Sequence, residues 1–434
     1  MVCHDHTYLN DRQGPPPESL MTSTILVRWR PKNYYSFASL VPVLQQTGLP
    51  LRVVKNNPSE ELAATLTEND LVFFLDSFMS MDVPTVRQEM EENRSKTRAG
   101  DGQVVFVAGG SHPTAAPEHT LGLGFDMVAR GEGEVVAKAL VETVREGRDW
   151  LEIPGITYND DGFVQHTPNP PRINLDEYQP YSTDPPIHPP IEVMRGCSFG
   201  CKFCQTPRVL RKVRYRSLEA IDKAVAYYAK RFASRARIDI RFIAPNILEY
   251  GSKDHRSPNL QALWALVRTV KTYPVRLFMG SFPSEVRPEF VTPETVEVLQ
   301  QSDSKRVAVG AQSGSDSMLE KMRRGHTLAN IHSCVDHLLD GGLTPQLDFI
   351  LGNPDETNEE HWETLHLCQT LVDKGCRARL HYFMPLPGTP WGDARPSSLS
   401  AGVITEVGRL LQHKSVDGSF AQQIEIADEL YQYR

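Results

Sequence analysis

The chain has 434 residues, 40% of them hydrophobic and 23% charged, and a formal net charge of −8. That length suits two or three domains with separate cores, and the acidic balance excludes the broad positive field of a nucleic-acid binder. No apolar run approaches the ~20 residues of a membrane span, the N-terminus lacks a signal core, and seven cysteines in so long a chain predict a reducing cytoplasm.

Residues 1–22 are polar and contain Pro15-Pro16-Pro17, which predicts a disordered tail in which Met21 offers an alternative start. Cys3-His4-Asp5-His6 has metal-binding residue types, but ordering a floppy terminus around an ion costs too much entropy to favour that reading. From Thr24 a strand–helix alternation begins. Strands are predicted at Ile25 to Trp29, Leu51 to Val54, Leu71 to Leu75, Val104 to Val107 and Met127 to Val128. Helical patterns at 37–47, 59–66, 83–94 and 115–121 separate them, and another follows at 133–146. Apolar strands alternating with amphipathic helices predict a doubly wound α/β domain over 23–150, its parallel sheet covered on both faces.

Ligands of such folds sit at the carboxyl ends of the strands. Ser77-Phe78-Met79 follows the third strand, Gly109-Gly110 with His112 and Thr114 the fourth, and Gly131-Glu132-Gly133-Glu134 the fifth. Glycine there lets a bulky ligand approach the backbone. The glycine pair alone equally suits a nucleotide binder, a flavin binder, or a degenerate domain that holds nothing.

Residues 151–190 read as a linker, with a hairpin from Ile156 to His166 turned at Asp161-Gly162 and a proline-rich extended connection from Pro168 to Pro190. A second domain is predicted over 191–395. Its strands fall at 191–194, 238–243, 275–279, 306–310, 346–350 and 379–383, with helices at 217–233, 259–272, 292–301, 327–340 and 357–374. Ser217 and Thr292-Pro293 supply helix starts, and Gly341-Gly342 and Gly375 supply ends. Six β/α units predict a partial barrel whose reactive face is the C-terminal strand ends. Residues 396–434 read as short helical segments.

Within the second domain, RGCSFGCKFCQTP from Arg195 to Pro207 places Cys197, Cys201 and Cys204 at C-x3-C-x2-C spacing after the first strand. Thiolates are the usual ligands of iron–sulfur clusters, and three of them leave one iron of a four-iron cubane open for a substrate or cofactor. A structural zinc knuckle would need a fourth donor at short spacing, and neither His188 nor a nearby cysteine supplies one. Cys334, Cys368 and Cys376 read as small core residues or a surface thiol. Arg208, Arg211, Lys212, Arg214 and Arg216 form a basic run, read either as a solvated face or as a seat for a phosphate or carboxylate.

The cysteine triad, with Phe203 as the aromatic residue before its last member, resembles the signature of the radical S-adenosylmethionine (radical SAM) family. G-G-x-H-P-T at Gly109 to Thr114, the downstream D-x4-G-E-G-E at Asp126 to Glu134 and the S-x-L-like Ser77-Phe78-Met79 resemble the cobalamin-binding domain that precedes many radical SAM barrels. The resemblance spans about 24 to 390. It implies a Rossmann-like cobalamin-binding domain followed by a partial (β/α)6 radical SAM barrel. It further implies a 4Fe–4S cluster on Cys197, Cys201 and Cys204, with S-adenosylmethionine and cobalamin as further cofactors.

On the same grounds, Ser77, Gly109, Gly110, His112, Thr114, Gly131 and Glu132 would surround cobalamin. Phe203, Asn246, Ser281, Glu285, Gln312 and Ser313 would contact S-adenosylmethionine. Arg287, and the family-like loop DFILGNPDET with Asn353 and Asp355 in place of more usual residues, lie at strand ends of the same barrel. There are two departures. RPKNYYSF at 30–37 lacks the D-x-H-x-x-G whose histidine ligates cobalt in some cobalamin proteins, so no protein histidine is expected below the metal, and His112 reads as fixing its loop. RFIAPN at 241–246 replaces the family's Gly-Gly-Glu, leaving Asn246 as the substitute, or as a plain turn residue.

The implied activity is reductive cleavage of S-adenosylmethionine to a 5′-deoxyadenosyl radical and methylation of an unactivated carbon of a small molecule. The electron donor would be a flavodoxin or ferredoxin. A radical cyclase or rearrangement enzyme without methyl transfer, an RNA-modifying radical enzyme, and a non-catalytic cluster or cobalamin carrier are the alternatives. The acidic charge counts against RNA, and the polar strand ends count against a mere carrier. No membrane partner is expected.

Overall fold

The computed structural model describes residues 22–31, 33–56, 58–97, 103–210 and 212–432. The expected tail up to residue 21, with Cys3 to His6 and Met21, lies outside them, as does Arg211 of the basic run. The chain divides into two compact units, one ending at Ile187 and the other beginning at His188.

The first unit is built on a seven-stranded sheet. Its strands are β1 (Ser23–Arg28), β2 (Leu51–Val54), β3 (Leu71–Ser77), β4 (Gln103–Gly109), β5 (Met127–Ala129), β6 (Ile156–Asp160) and β7 (Phe163–His166), in the order β2-β1-β3-β4-β5-β6-β7. β1 to β5 pair in parallel and their crossovers are helical, as the alternation predicts. Every residue of β1 and β3 is buried. Successive side chains reach opposite faces: Ile25, Val27, Phe73 and Leu75 pack with Phe37, Val41 and Leu140, while Leu26, Val72 and Phe74 pack with Leu62, Val86 and Met90. Two apolar layers, one per face, explain why these strands read as unbroken hydrophobic runs.

The hairpin read as part of a linker belongs to this sheet. β6 pairs antiparallel with β5 through Met127↔Tyr158, Val128↔Thr157 and Ala129↔Ile156, and Ile156 is in the core. Its turn has φ 47° at Asp161 and 87° at Gly162, the left-handed pair that a two-residue hairpin requires. Two short strands, β8 (Ser182–Thr183) and β9 (Pro186–Ile187), form a ladder that brings Ile187 into the same core.

The second unit is an open barrel of parallel strands. β10 (Ile191–Glu192) is followed by β11 (Met194–Arg195) and β12 (Arg214–Tyr215), then by β13 (Asp239–Ile243) and β14 (Arg276–Phe278). β15 (Arg306–Gln312), β16 (Thr344–Leu351), β17 (Arg377–Tyr382) and β18 (Val416–Asp417) complete it. β10-β13-β14 form one ladder and β15-β16-β17-β18 another, and a parallel bridge between Val286 and Val309 joins them. β18, which pairs with β17 inside the stretch expected to be helical, is a seventh barrel strand of only two residues, too short to leave a periodic signature.

Helix starts follow local chemistry. The Ser217 side chain accepts from Ala220 N, and Thr292, Thr327 and Thr357 each form a capping box. No helix among the described residues is long and apolar enough to cross a membrane.

One buried residue conflicts with its setting. Asn93 lies on the Val83–Thr97 helix in line with buried Val86 and Met90, and neither atom of its amide has a partner among the described residues. An unmet buried amide is costly. Asn93→Leu is expected to stabilise the protein by about 1–2 kcal/mol, measured as a higher urea midpoint; an unchanged or lower midpoint would show that the amide is satisfied by water.

Candidate active site

The cysteine loop leaves β11 and returns through β12, so its two stems are clamped by the pairs Met194↔Tyr215 and Arg195↔Arg214. Gly196 at its start has φ 87°, a turn that side chains resist. Further contacts fix the loop from several directions. Lys202 N donates to Met322 O (3.0 Å), Trp391 N donates to Lys202 O (3.1 Å), and Gln205 Nε2 donates to Pro387 O (3.0 Å). Ser198 Oγ donates to Glu249 Oε1 (3.2 Å), and Glu249 is fully buried with its other oxygen unpartnered.

The three thiols experience different fields. Burial pushes Cys197 up to about 12 and raises Cys204. Burial would raise Cys201 too, yet the Arg324 and Arg287 guanidiniums hold it below its ordinary value. Arg324 Nη1 donates to Cys201 Sγ at 3.2 Å and Arg287 Nη1 approaches at 3.9 Å. Arg287 Nε also donates to Glu289 Oε1 (2.6 Å) and its guanidinium lies 3.5 Å from the Phe199 ring centroid. Of these two buried cations only Arg287 is ion-paired with a carboxylate among the described residues, and Arg324 faces sulfur.

No three His, Cys, Asp or Glu side chains among the described residues converge on the radius of a single metal ion. Three thiols on one clamped loop, with surplus positive charge behind them, fit a larger anionic iron–sulfur group. The basic run serves the fold in part: Arg208 and Lys212 are exposed, whereas Arg216 is buried and donates through Nε to Glu192 O (2.8 Å).

Beside this loop lies a cleft of about 270 Å³ whose lining includes Phe203, Glu285, Gln312, Asp348, His381 and Gln423. Gln312, Asp348 and His381 come from the C-terminal parts of β15, β16 and β17. Gln312 adopts φ 76° where the β15–β16 register shifts, a strained backbone for a side chain of that size. Gly310 makes the close packing possible: a Cβ there would come within 2.8 Å of Gln312 Nε2 and 3.0 Å of Arg324 Nη2.

The polar wall of the cleft is ordered. Arg379 Nε and Nη2 donate to the two oxygens of Asp348 at 2.5 and 2.7 Å. Tyr382 N donates to Gln423 Oε1 (2.9 Å), which leaves Gln423 Nε2 to donate to His381 Nδ1 (3.2 Å). His381 therefore carries its proton on Nε2, 3.4 Å from Asp348 Oδ1. The Glu285 carboxylate takes no side-chain bond from a described residue, and burial, then the adjacent Asp348 carboxylate, pushes it to about 7.

Of the residues expected around S-adenosylmethionine, Phe203, Glu285 and Gln312 line this one cleft. Asn246 is buried close by: its Oδ1 accepts from Arg287 N (3.3 Å) and its Nδ2 is unpartnered. Ser281 and Ser313 are placed elsewhere. Ser281 Oγ accepts from Ser304 Oγ (3.3 Å), and Ser313 Oγ meets Thr364 Oγ1 (3.2 Å) and accepts from Ser315 N (3.1 Å), so both tie loops together.

Sequence reasoning passed over Arg324, Glu249, Asp348, Arg379, His381 and Gln423. Asp348 stands inside DFILGNPDET, and His381 inside the strand read at 379–383. Arg324 follows a short helix and Gln423 lies on the last one, where no strand-end rule points.

In the first unit, the strand order reverses between β1 and β3, the position where open α/β sheets hold ligands. The expected residues gather on the loops at that edge. Gly110 has φ 100°, and a Cβ there would lie 2.7 Å from Phe78 O. Ser77 O accepts from Asn33 Nδ2 (2.7 Å) and Gly109 O accepts from Phe78 N (3.1 Å). Gly131 N donates to Thr114 Oγ1 (3.0 Å), linking the loops after β4 and β5, and Glu132 Oε2 accepts from Ile173 N (3.0 Å).

His112 is buried with both ring nitrogens engaged, to Ser80 Oγ and His119 Nδ1 at 2.9 Å each. It fixes its loop and has no lone pair to spare for a metal. After β1, Arg30 is buried in ion pairs with Asp76 and Glu89. The edge thus keeps Gly109, Gly110 and Gly131 partly open while the polar groups around them bind one another. That arrangement fits a flat, bulky ligand held by shape.

Glu285 generates a stability test. Raised from 4.5 to about 7, it keeps in the folded state a proton that the unfolded chain releases. Its contribution is present below the unfolded value and lost as pH rises through the folded one. Asp348, Arg379, Arg324 and His381 are the charged or titratable groups facing it. Between pH 5 and pH 8 the wild type is expected to lose about 1–2 kcal/mol more than Glu285→Gln, read from urea midpoints; parallel curves would refute the assignment.

Residues 191–368 match the profile of the radical SAM superfamily. Among curated proteins, an uncharacterized methyltransferase of Pyrococcus horikoshii is 26% identical over 304 residues, covering 66% of this chain and 62% of that protein. A tRNA-2-methylthio-N(6)-dimethylallyladenosine synthase of Fusobacterium nucleatum is 27% identical over 255 residues, covering 56% of this chain and 55% of that protein. The matched stretches therefore span less than two thirds of these relatives. Among solved structures, the radical S-adenosylmethionine methyltransferase TsrM from Kitasatospora setae, with cobalamin and a 4Fe–4S cluster bound, superposes with TM-score 0.64 at 18% identity, over 86% of this chain and 77% of that one. The cobalamin-dependent radical enzyme OxsB gives TM-score 0.64 at 16% identity, over 80% of this chain and 52% of that one. Residues 191–368 thus match the radical SAM profile, and the chain shares the fold of TsrM and OxsB.

Proposed function

We propose that this protein is a cobalamin-dependent radical SAM enzyme that methylates an unactivated carbon of a small molecule. The observation that carries the reading is the position of Phe203: it precedes Cys204 in the clamped loop and is itself a wall of the cleft. A group held by the cysteines would stand at the cleft's edge. When bound, a 4Fe–4S cluster on Cys197, Cys201 and Cys204 would supply the electron that cleaves S-adenosylmethionine to a 5′-deoxyadenosyl radical, and cobalamin would supply the methyl carrier.

The chain's own residues position and enclose. Glu285, Asp348 and Gln312 offer acceptors and a donor to the amine, the ribose hydroxyls and the carboxylate of S-adenosylmethionine, and Asn246 Nδ2 and Glu249 Oε2 are buried groups waiting for partners nearby. Phe203, Phe383 and Leu386 line the cleft with apolar surface that keeps water from a reactive radical. Gly109, Gly110 and Gly131 would leave room for a corrin at the edge of the first sheet. The electron donor is a flavodoxin or ferredoxin, and the setting is the cytoplasm.

A second reading, modification of RNA, draws support from the tRNA-modifying relatives. The net charge of −8 weighs against it. A cyclase or rearrangement enzyme of the same architecture would use the same cleft without methyl transfer.

Anaerobic purification is expected to yield iron, sulfide and cobalt together, and methyl-labelled S-adenosylmethionine is expected to pass its label to a small-molecule product. Protein that takes up iron but never cobalt would remove the corrin half, and unlabelled product would leave the cyclase reading. Cys201→Ala is expected to lower bound iron and S-adenosylmethionine cleavage at least tenfold; retention of both would end the proposal.

A further inference from the structure

Reducing an iron–sulfur cluster adds a negative charge to a group already carrying thiolates. Net charge, hydrogen bonds to the sulfurs and burial decide how readily that electron is accepted. The surroundings of Cys201 bear on all three. Arg324 Nη1 donates to its sulfur at 3.2 Å, and Arg287 Nη1 stands 3.9 Å away. Both arginines are buried, at 6% and 4% exposure, so water screens little of their charge.

The charge balance around them is uneven. Arg287 has a carboxylate partner in Glu289, which His326 also approaches at 3.5 Å. Arg324 makes no ion pair with a carboxylate among the described residues: Nη2 donates to Gly310 O (2.7 Å), Nε is unpartnered, and Nη1 meets sulfur. Its backbone carbonyl in turn accepts from Arg287 Nη2, which locks the two cations side by side. They come from separate loops, Arg287 beyond β14 and Arg324 beyond β15, and converge on one of the three sulfurs. The absent Cβ of Gly310 keeps the space Arg324 needs.

We propose that Arg324 and Arg287 form a positive seat for the cluster at Cys201 and raise its reduction potential, so that a flavin or iron–sulfur electron carrier can reduce it. This rests on the cysteine triad holding a cluster, as proposed above. The step is a one-electron transfer: the carrier is oxidised, the cluster is reduced, and no covalent bond changes. Both arginines act through Cys201 and are positioning residues.

The test is an anaerobic dithionite titration of the full-length, reconstituted protein, followed by electron paramagnetic resonance, with iron and sulfide measured in each sample. Arg324→Gln is expected to shift the reduced-to-oxidised ratio at fixed potential at least tenfold toward the oxidised form, about 59 mV for one electron. Arg287→Gln shifts it the same way but less, because its contact is longer and its charge is partly met by Glu289. Arg324→Lys, which keeps the charge, stays nearer the wild type than the glutamine variant. Full iron with less than a twofold change in Arg324→Gln would overturn the proposal. Should that variant lose its iron, retention by Arg324→Lys supports charge compensation, and loss from both assigns Arg324 to shape alone and overturns it. Wild-type protein that binds no iron would instead defeat the functional reading itself.

Discussion

A guanidinium beside a buried thiol is the interaction on which the barrel's chemistry depends. Placing Arg324 and Arg287 in the interior costs desolvation energy that one glutamate cannot offset, so the arrangement requires negative charge from sulfur. That requirement reaches outward. Gly310 has to lack a side chain, Glu289 has to sit between Arg287 and His326, and the cysteine loop has to be clamped at both stems so that Cys201 meets the charges from β14 and β15. The cysteine loop and the loops beyond β14 and β15 are thereby committed to one sulfur.

The first unit answers a different constraint. Its central strands are covered on both faces, leaving the strand ends as the one place where polar backbone can meet a ligand. There the side chains are turned toward one another: His112 toward Ser80 and His119, Arg30 toward Asp76 and Glu89, Thr114 toward Gly131. What remains is shape, contributed by glycines. A site of this kind selects a ligand by its outline more than by its charges, in contrast to the barrel cleft, where Glu285, Asp348 and His381 present directed polar atoms.

The alternation of apolar strands with amphipathic helices was readable because each face of a parallel sheet demands its own apolar layer, so the spans of β1 to β5 and of the main barrel strands emerge from periodicity alone. The cysteine loop was readable because ligand spacing on a short segment is local. Three things were not. The hairpin of β6 and β7 shows its turn in Asp161-Gly162 but not its partner, since edge pairing with β5 is a tertiary fact. Ser313 and Glu285 both follow barrel strands, yet one faces Thr364 and the other the cleft, a difference set by tertiary packing. Arg324 is hidden because its role is defined by Cys201, far away in the chain, and neither residue's neighbours announce the other.

The wall that Gln423 completes has a consequence for how the protein is made. Tyr382 and His381 are braced by a carboxamide on the Phe420–Gln432 helix, and the cysteine loop is itself held by Met322, Pro387 and Trp391, so the loop's clamps and the cleft's wall are not both complete until the last helix of the second unit is in place.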